Sequence, residues 1–100
     1  MTSPSLLTEA QIAARLAGST WKRDHAMITR ALSFDDFAAA IAYVNLVAEV
    51  SESYNHHPDI LVHGWNKVTL SLTNHAAGGL TEIDFDMAAR FDALRGRPAA

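Results

Sequence analysis

The chain has 100 residues, of which 49% are apolar and 19% charged, with a formal net charge of −3 and no cysteine. That length reads as one domain over 1–100, burying roughly two-thirds of its unfolded surface around a single thin core. The 8 Lys and Arg are scattered, Lys22-Arg23 being their nearest approach to a cluster, which excludes a nucleic-acid footprint; the missing thiols exclude disulfides and thiolate metal sites and fit a reducing, cytoplasmic setting.

The opening MTSPSLLTEAQIAARLAG has no basic n-region and no long apolar run, which predicts no signal peptide, and nothing approaches a membrane span. Within it, LTEAQI marks a helix start: Thr8 caps, Gln11 stands three residues on, and Leu7 and Ile12 form a staple. This first helix is short and ends near Gly18. Trp21 to Arg23 and then AMITRAL read as strands. LSFDDF repeats the helix signature, with Ser33 as the cap, Asp36 at the third helical position and Leu32 facing Phe37. The second helix is expected from about Phe34 to Ser53, with Phe37, Ile41, Val44 and Ala48 at helical spacing toward the sheet. Val47 and Val50 widen that stripe beyond what a small sheet covers, which points to a second partner such as another subunit.

DILVH and WNKVTLSLTNH read as a hairpin turning at His63-Gly64. In the second strand Val68, Leu70 and Leu72 point one way and Lys67, Thr69, Ser71 and Thr73 the other. Trp65 and His75 share the odd parity, so both are expected on the polar face, suggesting a surface that binds something. LTEIDF opens the third helix, Glu82 to about Leu94, with Thr81 as cap, Asp84 three residues on, and Ile83, Met87, Phe91 and Leu94 inward; GRPAA is a frayed tail. Helix, two strands, helix, two strands, helix predicts an α+β fold: a four-stranded antiparallel sheet with three helices packed on one face.

One stretch, SYNHHPD, sets two histidines side by side where the second helix gives out. Neighbouring side chains cannot share a face, so this is a poor core and a poor two-histidine metal clamp. Pro58 stops the helix from running through them. His75 lies at the far end of the best strand, Asp84 one turn into the third helix, and Glu52 one turn before His56. Imidazoles titrate near neutral pH and stand here at element ends, where sites are usually assembled. Bland readings stand beside this. The histidine pair complements a helix C-terminus, Asp84 is a capping residue, Glu52 a solvated carboxylate and Trp65 a packing aromatic. His25 and His63 read as surface residues, and no histidine spacing supports a zinc site.

The order Glu52, three residues, His56-His57-Pro58, then Trp65, nine residues, His75, eight residues, Asp84 resembles the pterin-4a-carbinolamine dehydratase family. GGLTEIDFDMA, FDDFAAAIAYVNLVAE and Trp21 extend the resemblance over roughly Trp21 to Leu94. Two departures are visible: six residues separate Pro58 from Trp65 where many members have five before an aromatic, and Asn55 stands where some have aspartate. The resemblance implies a hydro-lyase removing water from 4a-hydroxytetrahydrobiopterin to give quinonoid dihydrobiopterin, which recycles the pterin of aromatic amino-acid hydroxylases. It implies His56 and His75 as acid/base groups, His57 mainly as a substrate-holding residue, and Glu52, Trp65, Asp84 and Pro58 around the pterin. It further implies no metal or organic cofactor, the pterin being the substrate, and a homo-oligomer, dimer or tetramer, built through the second helix. The alternatives are a dimerisation or assembly factor on the same fold, and a dehydratase for a related pterin.

Overall fold

The computed structural model describes residues 5–95, so the expected GRPAA tail lies outside the described residues. In chain order the elements are α1 (Glu9–Leu16), β1 (Lys22–Asp24), β2 (Met27–Ser33), α2 (Phe37–Tyr54), β3 (Asp59–His63), β4 (Lys67–Leu72) and α3 (Glu82–Leu94). The strands form one antiparallel sheet in the order β1-β2-β4-β3. This is the α+β architecture read from the sequence. Among the described residues no helix is long and apolar enough to cross a membrane.

The alternation of β4 sets the two faces of the sheet. Val68, Leu70 and Leu72 are buried, and register brings Leu32 opposite Val68 and Ile28 opposite Leu72 on the same face. Those side chains join Ile12 of α1, Tyr43 and Val47 of α2, and Met87 and Phe91 of α3 in one apolar cluster. The three helices therefore cover one face, while Thr29, Ala31, Thr69 and Ser71 line the other. Arg30 falls among the core-facing residues of β2 and is accommodated by pairing with Asp92 of α3, which also accepts the Trp21 indole N–H at 2.9 Å. A charge this deep is tolerated only when paired.

Helix α1 starts as expected: the Thr8 hydroxyl accepts from Gln11 N–H at 3.1 Å, and the Gln11 side chain accepts from Thr8 N–H at 2.8 Å. Its last turn is tied to α3 by Arg15, whose hydrogen bond holds the Glu82 carboxyl below its usual range.

Helix α2 departs from the expectation in two ways. Its cap is Asp36, whose carboxylate accepts from Ala39 N–H at 2.7 Å, and not Ser33. Ser33 is still strand, opposite Lys67, and Asn66 ties down the next residue by bonding both the N–H and the carbonyl of Phe34. The strand thus keeps Ser33, and the helix starts three residues later than the capping pattern suggests. The buried face is also different: Ala40, Tyr43, Val47 and Ser51 face the core, while Phe37 is 54% exposed and Ala48 is exposed. Alanine at position 40 permits close approach, and Tyr43 reaches α3 to donate its hydroxyl to Phe91 O at 2.9 Å.

Burial raises the Tyr43 phenol from 10.0 to about 12. Because the folded value lies above the unfolded one, the contribution to stability is complete below pH 10 and is lost as pH rises toward about 12. Urea titrations across that range are expected to show parent stability falling. Tyr43→Phe is expected to fall less steeply and to start about 1 kcal/mol lower at neutral pH, having lost one hydrogen bond to a buried carbonyl. Equal slopes for the two proteins would show that another group governs the alkaline limb.

Candidate functional site

The site begins with how α2 stops. Asn55 takes a left-handed conformation, φ 48°, which asparagine tolerates better than most residues. Its N–H bonds Glu52 O at 3.3 Å and the His56 N–H bonds Ser51 O at 3.1 Å, a Schellman pairing with asparagine where glycine is commonest. The reversal sends the two histidines apart. The His56 side chain is turned in and 13% exposed, whereas that of His57 is turned out and 53% exposed. Half-buried Pro58 then leads into β3.

Turned inward, His56 meets α3. Its Nε2 lies 2.6 Å from Asp84 Oδ1, and Asp84 is fully buried. The other carboxylate oxygen, Oδ2, accepts the Thr81 N–H at 2.8 Å and the Thr81 hydroxyl at 3.2 Å. Capping and imidazole-holding are thus divided between the two oxygens, and neither excludes the other. Against an ionised carboxylate, a neutral imidazole at this position donates from Nε2 and keeps the lone pair on Nδ1. Such a couple fixes the ring and stabilises the positive charge that appears when Nδ1 takes a proton.

The remaining expected residues divide in two. His57 Nε2 pairs with Glu52 Oε2 at 3.1 Å, an exposed pair one turn from the helix end that orients more than it stabilises. His75 is exposed and sits in the turn after β4, closed by a bridge between Asn74 and Gly79. The Asn74 amide reaches Thr81 Oγ1 at 3.4 Å, so the His75 turn adjoins the start of α3. These residues gather at the end of the sheet where β3 begins and β4 finishes.

Trp65 does not join them. It lies 62% exposed in the β3–β4 loop, at the opposite end of a 5-residue strand, which at ~3.3 Å per residue is on the order of 15 Å away. The parity expectation fails because β4 begins only at Lys67 and ends at Leu72. Positive φ at Gly64 and Trp65 (54° and 57°) breaks the alternation at one end, and the Asn74–Gly79 turn breaks it at the other. His63, read as a free surface residue, contacts Thr69 Oγ1 across the open face at 3.0 Å. Thr81 as a partner of the site, and Asn74 at all, escaped the reading of the sequence; the signal for Asn74 was an asparagine opening a turn that ends in Gly-Gly. Among the described residues no group of three or more His, Asp or Glu is arranged to hold a metal ion.

The sequence model of the family described as pterin 4 alpha carbinolamine dehydratase matches residues 5–94. The chain belongs to this family. A protein of Acidobacterium capsulatum, provisionally named a pterin-4-alpha-carbinolamine dehydratase, is 49% identical over 89 residues, covering 88% of this chain and 96% of the relative. A provisionally named dehydratase of Roseiflexus castenholzii is 46% identical over 91 residues, covering 90% and 97%. Among solved structures, a transcriptional coactivator/pterin dehydratase from Brucella melitensis superimposes with a TM-score of 0.85 at 30% identity, over 92% of this chain and 100% of that one. A pterin dehydratase-like protein identified as a RuBisCO assembly factor in the alpha-carboxysome gives 0.65 at 28% identity, over 80% and 94%. The proteins that this chain resembles thus include relatives named for catalysis and a structural neighbour identified by assembly.

Proposed function

We propose that this protein is a hydro-lyase that dehydrates 4a-hydroxytetrahydrobiopterin to quinonoid dihydrobiopterin. The observation that carries this reading is the His56–Asp84 couple, a part-buried imidazole 2.6 Å from a fully buried carboxylate. Capping α3 uses only Oδ2 of this carboxylate, and its other oxygen, aimed at a histidine, suits a proton shuttle. The reaction needs a proton for the departing C4a hydroxyl and a base for the N5 proton. His56 Nδ1 serves one transfer and His75 the other, each contributing on the order of 10²–10⁴-fold. The hydroxyl can lie on either face of the flat ring, and imidazoles brought in by different elements suit both. His57, held by Glu52, contacts the pterin from the rim, with Pro58 beside it; Trp65 has no part in this reading.

The test generates the 4a-hydroxytetrahydropterin in situ with an aromatic amino-acid hydroxylase and follows its dehydration by absorbance. Acceleration at catalytic protein concentration supports the reading, and no acceleration by folded protein overturns it. Running the assay with pterins of different side chains separates biopterin from a related substrate.

Assembly is the second reading, favoured by the outward residues of α2: Phe37 is 54% exposed, with Ile41 one turn on. This stripe supports a homo-oligomer joined through α2, and a monomer in sedimentation equilibrium would remove it. Catalysis and assembly are compatible; an assembly factor alone would have no need of His56, His75 and Asp84 together.

A further inference from the structure

The buried polar side chains among the described residues are Ser51, Asn74, Thr81 and Asp84, and all four lie where α2 stops and α3 starts. Three are accounted for. Ser51 donates its hydroxyl to Val47 O at 2.7 Å, and Thr81 and Asp84 form the start of α3 around His56. Asn74 is not, and burying a primary amide is costly unless its partners require it. Its backbone carbonyl accepts from Ala77, Gly78 and Gly79, at 3.2, 2.9 and 3.2 Å, and its Oδ1 accepts a second time from Ala77 at 3.2 Å. That knot shapes the turn carrying His75. The amide nitrogen is left facing the Thr81 hydroxyl, the longest contact of the group at 3.4 Å.

This contact has a directional consequence. A threonine hydroxyl has one proton to give and rotates to suit its surroundings. With a donor-only –NH₂ on one side, the Thr81 proton points the other way, to Asp84 Oδ2 at 3.2 Å. Polarity then runs from the Asn74 amide through the Thr81 hydroxyl to one carboxylate oxygen, and the His56 N–H approaches the other. We infer that Asn74 is a positioning residue, turning the Thr81 hydroxyl onto Asp84 Oδ2 and so fixing the carboxylate whose other oxygen orients His56, while its backbone fixes the turn that bears His75. It rests on the dehydratase reading only for its kinetic consequence.

The test labels the full chain with ¹⁵N and reads which ring nitrogen of His56 carries the proton from long-range ¹⁵N–¹H spectra. The parent is expected to show Nε2–H, and a parent protonated on Nδ1 alone overturns the inference before any variant is made. Asn74→Asp keeps the shape and the acceptor for Ala77 but turns the donor facing Thr81 into an acceptor. Thr81→Val cuts the chain at its middle without adding charge. Both are expected to leave the proton on Nε2, because Asp84 Oδ1 still accepts it, but to shift the Nε2–H signals of His56 and to reduce kcat about 10-fold with KM within about twofold, the usual scale for partners of a reacting group's holder. Thr81→Ser, which keeps the hydroxyl, is expected to keep the parent signals. Folded Asn74→Asp and Thr81→Val with the parent Nε2–H signals would reduce Asn74 to a turn-former and overturn the proposal. If the parent turns over no pterin, the dehydratase reading falls, and the change in the His56 Nε2–H signals alone decides the role of Asn74.

Discussion

His56→Ala is expected to lose dehydration by about 10²–10⁴-fold, the share of a well-placed acid or base. The alanine variant alone does not isolate the chemistry. Removing the imidazole leaves Oδ1 of a fully buried carboxylate without its partner, and an orphaned buried acceptor costs about 1–3 kcal/mol. His56→Gln separates the effects, because its amide N–H can reach Asp84 while offering no basic nitrogen. Its unfolding free energy is expected to stay within about 1 kcal/mol of the parent, with activity as low as in His56→Ala. His75→Ala is the complementary case: an exposed histidine whose removal is expected to cost a similar factor in kcat and, as for most surface substitutions, within about 0.5 kcal/mol of stability. Absorbance-followed dehydration and urea unfolding on the three variants read both quantities. Parent-like turnover in His56→Gln and His75→Ala would remove the proposed mechanism.

How much of this was legible in the sequence depended on how local the deciding interaction was. The starts of α1 and α3 are written within four residues each, and both were found where Thr8 and Thr81 stand. The start of α2 was not local. Ser33 and Asp36 are both competent caps, and the choice is made by Lys67 and Asn66, which hold the preceding residues in the sheet. The inward face of α2 was ambiguous for another reason. Phe37–Val50 is apolar nearly all round, so periodicity cannot select a stripe, and Tyr43 is selected by a carbonyl 48 residues away. The same division runs through the site. That His56 and His57 diverge follows from adjacency alone, and Pro58 marks the break. That His56 meets Asp84, 28 residues on, requires the hairpin and the packing of α3 against α2. The error over Trp65 came from carrying strand parity through a loop in which two consecutive residues have positive φ.

Asp84→Asn is expected to be nearly as damaging to turnover as loss of His56 itself, although it changes one atom. The variant amide has one oxygen and one –NH₂ to set against two neighbours. Thr81 presents a backbone N–H at 2.8 Å, a donor that cannot be reversed, so the amide oxygen must take that side. The –NH₂ then faces His56, at the 2.6 Å position where the parent has an acceptor. Two donors cannot share that contact, so a neutral His56 is driven to carry its proton on Nδ1, the nitrogen that serves the proposed transfer. The expected result is a kcat reduced by about 10²-fold or more, an Nδ1–H tautomer in ¹⁵N spectra, and a stability loss of only about 1–2 kcal/mol from the weakened charge at the start of α3. Asp84→Ala provides the contrast. It strips the Thr81 N–H, the Thr81 hydroxyl and His56 Nε2 of their acceptor at once, and is expected to cost about 3 kcal/mol or more. If Asp84→Asn keeps parent turnover with His56 still protonated on Nε2, the carboxylate is only a helix cap, and the couple on which the dehydratase proposal rests has no catalytic part. If tautomer and kcat fall together while the fold holds, one carboxylate serves both purposes: one oxygen starts a helix and the other holds an imidazole.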